Sequence, residues 1–168
     1  MPVGLVKAIP EDVPLIRSLA ERIWREHYPA IISMDQIEYM LEWMYGAEKL
    51  LEQIRSSAFT YWLIIPSDTE DKQQALGFVA VENQGDGRFF IHKFYIDQRG
   101  RGVGTDAFRQ LLARMPGART IRLYVNRRNF KSVNFYFKNG FVIREWLDQP
   151  FGPNYVMDDF LMEHNVQA

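Results

Sequence analysis

The run Arg99-Gly100-Arg101-Gly102-Val103-Gly104-Thr105 has residue types and spacing suited to chemistry. It follows a strand-like segment and opens a segment of helical period. Closely spaced glycines let a backbone turn tightly and approach a ligand. Amides at a helix start point outward, and the helix dipole favours negative charge there. A pyrophosphate meets both conditions. A plain glycine-rich strand-to-helix turn with solvated arginines has the same composition. The spacing is not G-x-x-x-x-G-K-[ST], which argues against a nucleoside triphosphate loop. The G-x-G-x-G pattern also stands mid-chain after an antiparallel run, the wrong setting for a dinucleotide-binding unit.

A second run lies one strand later: Asn129-x-x-Ser132-Val133-x-Phe135-Tyr136-x-Lys138-x-Gly140-Phe141. Asn129 suits a helix N-cap. His92 lies in the strand before the glycine run, and a neutral imidazole there can accept a proton. A hydrogen-bonded structural histidine is the plainer reading. Glu26 and His27, at the end of a first helix, are further candidates for a base.

The elements that must position these residues read as follows. Residues 3 to 9 form a first strand. From Asp12, Val13, Ile16, Leu19, Ala20, Ile23 and Trp24 recur at helical spacing, as do Ile37, Met40, Leu41 and Met44, with 47 to 54 continuing after a break at Gly46. FTYWLII, ALGFVAV and FFIHKFYI predict three successive antiparallel strands across residues 59 to 96, joined by PSDTEDKQQ and NQGDG turns. Val103, Ala107, Phe108, Leu111, Leu112 and Met115 predict a helix stopped by Pro116 and Gly117. IRLYV is a strand, 129 to 139 a short helix capped by Gly140, and 141 to 146 and 155 to 162 two closing strands. Antiparallel strands mixed with β–α–β units predict an α/β fold, a mixed sheet with helices on its faces.

At 168 residues the chain fits a single domain spanning 1 to 168. Apolar residues make up 47% and include 4 Trp, 8 Tyr and 12 Phe, a load that needs a large core or a ligand cleft. The net charge of −1 argues against a dedicated nucleic-acid binder. The absence of cysteine excludes disulfides, thiolate metal sites and a catalytic thiol. The longest apolar stretch, Tyr61 to Ile65, is too short to span a membrane, and the first residues lack a signal-peptide run. A cytoplasmic protein without membrane or nucleic-acid partners is the expectation.

Together the two runs resemble the GNAT superfamily of acetyl-CoA-dependent N-acetyltransferases. The family's R/Q-x-x-G-x-G/A pyrophosphate motif fits Arg99 to Gly104, and its N-x-x-A/S-x-x-x-Y-x-K-x-G-F pattern fits Asn129 to Phe141. The resemblance covers residues 59 to 145 well. Trp24, Tyr28, Gln36-Ile37-x-Tyr39-Met40-Leu41, Met44-Tyr45 and Asn154-Tyr155-x-Met157-x-Asp159-x-Leu161-Met162 resemble the bacterial polyamine-acetyltransferase-like branch. The resemblance implies a splayed sheet of about seven strands, with acetyl-CoA as co-substrate between the strands ending at Ile96 and Val125, and no metal. Arg99, Gly100, Arg101, Gly102, Val103, Gly104 and Thr105 would hold the pyrophosphate. Phe94 and Ile96 would offer backbone groups to the pantetheine amides. Asn129 would bond the pantetheine or phosphate arm, with Lys131 and Lys138 near the phosphates. Tyr136 would protonate the departing thiolate, since a phenol of ordinary pKa about 10 stays protonated at pH 7.

Two departures stand out. Only Asp97 and Gln98 separate Ile96 from Arg99, where the family has four residues. The family's glutamate base is also missing, since this chain reads Phe90-Ile91-His92. The implied reaction is acetyl transfer to a primary amine of a small molecule, with His92 as a candidate base. Glu38 and Glu42, four apart on one helix face, with Tyr28, Tyr39 and Tyr45, could surround a cationic, polyamine-like amine. A solvated face with Lys49 as counterion is the plainer reading. A protein or peptide N-terminus as acceptor, and a non-catalytic acyl-CoA-binding regulatory domain, stay open as alternatives, and the resemblance admits a homodimer.

Overall fold

The computed structural model describes residues 1–97 and 100–166. Its elements in chain order are β1 (Val3–Lys7), α1 (Val13–His27), α2 (Met34–Tyr45), α3 (Ala47–Arg55), β2 (Phe59–Pro66), β3 (Gly77–Gly85), β4 (Arg88–Ile96), α4 (Val103–Leu112), β5 (Thr120–Asn126), α5 (Phe130–Lys138), β6 (Val142–Phe151) and β7 (Tyr155–Asn165). The expected α/β class holds. Seven strands form one sheet in the order β1-β2-β3-β4-β5-β7-β6. Every neighbouring pair is antiparallel except β4 and β5. No helix of the described residues is long and apolar enough to cross a membrane.

Local chemistry explains the boundaries. Ser33 Oγ accepts from the Gln36 amide and starts α2, and Asn129 Oδ1 accepts from the Ser132 amide and starts α5. Asp86 and Gly87 both take positive φ, as the tight β3–β4 hairpin turn requires. Gly46 does more than break the second helix. At φ −56° and ψ 138° it is extended, so α3 is a separate helix that buries Leu50 instead of continuing α2.

The sheet divides two cores. Val103, Phe108 and Leu111 of α4, with Val133 and Tyr136 of α5, pack on one face against Ile91, Leu123 and Val125. Ile16, Ile23 and Trp24 of α1, with Met40, Tyr45 and Leu50, pack on the other against Tyr61, Leu63 and Phe78. Pairing of β4 with β5 runs from Arg88–Thr120 to Ile91–Leu123 and then stops, so the strands part. At that point β4 carries a bulge. Ala80 pairs Lys93 and Val81 pairs Ile91, leaving His92 as the extra residue. A bulge bends the strand and switches which residues face which side. Phe89 and Ile91 face the α4–α5 core, and beyond His92 it is Phe94 and Ile96 that do so. Lys93 and Tyr95 turn to the α1–α3 side.

Candidate active site

The parting strands open a cleft of about 830 Å³ whose walls come from both faces of the sheet. At its α4 end, Gly100, Arg101 and Gly102 have φ of 96°, 57° and 71°, three left-handed residues in succession. Glycine supplies two of them without a steric cost. Gly102 caps α4 with no side-chain hydrogen bond. The Gly104 and Thr105 amides at the first turn thus have no intrahelical acceptor, and both residues line the cleft. Gly104 has a further role: a Cβ there would lie 2.9 Å from Phe135 Cε2, so it lets α4 approach α5. The helix start is anchored by the Val3 amide, which donates to Asp106 Oδ2 at 2.7 Å, and by the Met1 ammonium on the Arg101 carbonyl at 2.8 Å.

Gly100, Gly102, Val103, Gly104, Thr105, Phe94, Ile96, Asn129 and Tyr136 all line this one cleft. Asn129 is buried and spends its carbonyl oxygen on the α5 cap. Tyr136 is buried between Phe135 and Phe141, ring centroids 5.3 and 5.4 Å away. Lys131 and Lys138 line the same side. Arg101 is exposed and borders a smaller pocket with Glu26, His27 and Asp97, outside the main cleft. Asp97 there is paired with Arg22 at 2.7 Å. Arg99 lies outside the described residues. An uncapped helix start beside a strand edge released from its partner fits an elongated ligand carrying phosphates and amides.

The α1–α3 side of the cleft is mostly apolar and aromatic. Trp24 and Tyr28 stack at 4.1 Å, with Tyr95 tilted against Trp24 at 5.8 Å. His92 lines the cleft with Nε2 3.4 Å from Glu82 Oε2 and its ring between Phe59 and Phe90. Its pKa is lowered, chiefly by burial, with Glu82 opposing. The sequence expectation for the acidic pair on α2 is corrected. Glu38 and Glu42 do share a face, but Ile37 and Met40 take the buried one. Both carboxylates are exposed, Glu38 pairs with Arg25, and neither lines the cleft. Tyr45 is core, accepting from Trp24 Nε1, and Tyr39 packs on Phe151 and Tyr155, so of the three tyrosines Tyr28 alone lines the cleft.

The sequence reading gave two cleft residues no role. Asp159 lies on β7 opposite Asn126 and lines the cleft with Met157. Burial, then the neighbouring Asp158, raises its pKa to about 6, with Arg127 opposing. Asp158 is bonded by Asn126 and Arg128, whereas Asp159 has no such partner among the described residues. The signal was period-two spacing, Met157 and Asp159 on one strand face. Lys93 is 5% exposed and also lines the cleft. Its signal was a lone lysine inside the aromatic strand FFIHKFYI.

The acetyltransferase (GNAT) family model matches residues 17–141. The chain is 26% identical over 150 residues to a spermidine N(1)-acetyltransferase of Thermoplasma acidophilum, covering 86% of this chain and 91% of that one. Its fold is similar to the crystal structure of PaiA N-acetyltransferase from Thermoplasma acidophilum in complex with coenzyme A, at TM-score 0.82 and 24% identity, over 99% of this chain and 100% of that one. It is also similar to a spermidine N-acetyltransferase SpeG chimera from Vibrio cholerae and hSSAT, at TM-score 0.72 and 17% identity, over 98% and 96% of the two chains. With the family match across most of the chain, this protein belongs to the GNAT acetyltransferase family and is an N-acetyltransferase that draws its acetyl group from acetyl-CoA.

Proposed function

We propose that the protein acetylates a primary amine of a small cationic molecule, polyamine-like in character, by direct attack on the thioester. The observation that carries this reading is the cleft itself. One opening joins a phosphate-suited helix start on the α4–α5 side to an aromatic, singly acidic region on the α1–α3 side. The spermidine acetyltransferase relatives support the amine class.

Each residue then has a task. The Gly104 and Thr105 amides receive pyrophosphate oxygens, where the helix dipole adds to the hydrogen bonds. Phe94 and Ile96 offer strand-edge groups to the pantetheine amides. Tyr28, backed by Trp24, and Tyr95 present aromatic surface to a cationic acceptor, and Asp159 provides the carboxylate that draws it in. Acetyl-CoA supplies the activated carbonyl. Tyr136 holds a proton for the sulfur, which leaves as a thiol instead of a thiolate.

The test is an acceptor panel with acetyl-CoA, following thiol release. Diamines and polyamines should give amine-dependent release, and simple peptides much less. Preference for peptide amino termini would move the assignment to a protein acetyltransferase. Tight acetyl-CoA binding without release on any amine would leave an acyl-CoA-binding regulatory domain.

A further inference from the structure

Lys93 has an environment that a structural lysine rarely keeps. It follows the β4 bulge, where the strand leaves β5, and projects to the α1–α3 side of the cleft. The Tyr61 hydroxyl donates to Gln53 Oε1, which leaves the Tyr61 oxygen to accept from Lys93 Nζ at 2.6 Å. Gln53 Oε1 is a more distant acceptor at 3.5 Å. The rings of Tyr45 and Tyr61 lie 4.9 and 5.1 Å away. No carboxylate pairs with Lys93 among the described residues. The groups facing it are Lys49 and Gln53 from α3, Tyr45 from α2 and Tyr61 from β2, with His92 and Tyr95 beside it on β4. His92 is itself engaged by Glu82 of β3. A buried cation without a counterion is costly, and neutralisation is the usual escape.

We propose that Lys93 is the proton acceptor of the transfer, filling in this chain the role of the absent strand glutamate. This rests on the reading that the cleft acetylates amines. As the amine nitrogen bonds to the acetyl carbon, its N–H becomes acidic and passes its proton to the Lys93 lone pair. The C–S bond breaks, and Tyr136 protonates the sulfur. Lys93 then releases its proton to water and Tyr136 regains one, so the sum is amine plus thioester to amide plus thiol. Neutral Lys93 also leaves the acceptor unrepelled. Burial, then the Lys49 charge, brings its pKa down to about 7, near the working range that suits a general base.

The experiment has two readouts. In protein carrying ¹³C-lysine, the Lys93 Cε resonance of the free enzyme should titrate near pH 7, and higher in Lys49→Met, which removes the neighbouring cation. A midpoint at the ordinary lysine value overturns the proposal, whatever the activity. In a pH–rate profile of kcat/KM for a diamine, Lys93→Met should lose the limb near pH 7, keep the lower one that Asp159 sets near pH 6, and fall about 10²- to 10⁴-fold. Acetyl-CoA binding by calorimetry should be unmoved. Lys93→Arg keeps the charge but cannot deprotonate, and should be as slow. Rescue by arginine, or a Lys93→Met enzyme with wild-type rate and limb, would also overturn it. A wild-type enzyme silent on every amine would instead sink the substrate reading and the base role with it.

Discussion

Replacing Asp159 with asparagine should make the protein more stable and the enzyme worse. Raising an acid's pKa in the folded state means that folding disfavours its charged form. Between the ordinary value of 3.8 and the folded value of about 6, stability therefore falls as pH rises, and the deficit is complete above that range. At about 1.4 kcal/mol per pKa unit the shift corresponds to roughly 3 kcal/mol. Because the side chain is partly exposed, solvent screening reduces this to about 1–2 kcal/mol. For a chain of this size that is ~2–8 °C in Tm, gained by Asp159→Asn at pH 7.5 and absent at pH 3. The same carboxylate should hold the acceptor's ammonium through a charged hydrogen bond of about 1.5–3 kcal/mol. Its loss should raise KM for a diamine by about 10- to 150-fold, with acetyl-CoA affinity unchanged. In the wild type, KM should climb as pH drops through 6. Scanning calorimetry and initial rates measure the two halves. A variant with unchanged or lower Tm and unchanged KM would refute the argument.

Tyr136→Phe keeps the ring between Phe135 and Phe141, so acetyl-CoA affinity should hold while kcat falls about 10²- to 10⁴-fold. A wild-type kcat would pass the proton to water. Gly102→Ala meets no atom within 4 Å but must hold φ at 71°, a cost of about 1–2 kcal/mol visible in denaturant melts. Gly104→Ala should instead force the Phe135 ring from its place and weaken acetyl-CoA binding, a defect that Phe135→Leu should relieve. Glu38→Gln with Glu42→Gln should leave the diamine KM unmoved, because both carboxylates face away from the cleft.

Much of this was legible because the signals were local. The β2–β4 meander follows from alternation and turns, and the glycine run from the need for positive φ. Asn129 and Gly140 bracket α5 as caps do, with Gly140 at φ 89°. The misses were questions of facing. Spacing put Glu38 and Glu42 on one helix face correctly, but which face turns inward was settled by Ile37 and Met40. Strict alternation along FFIHKFYI groups Lys93 with Phe89 and Ile91 in the α4–α5 core. One extra residue, His92, reverses that parity, and a bulge leaves no mark in composition. Asp158 and Asp159 are equivalent letters in the sequence. Only the fold gives Asp158 to Asn126 and Arg128 and leaves Asp159 to the cleft.

The crossing of the sheet by the cleft also has a kinetic meaning. A pocket sunk into one face would give two substrates one wall to share. Here the walls come from α4 and α5 on one side and from α1 to α3 on the other, so under the proposed function donor and acceptor rest against opposite walls of one cleft, which holds both at once. Neither must depart before the other arrives, and double-reciprocal plots should intersect instead of running parallel. An inhibitor lodged against the aromatic wall should raise the diamine KM and leave the acetyl-CoA KM unmoved.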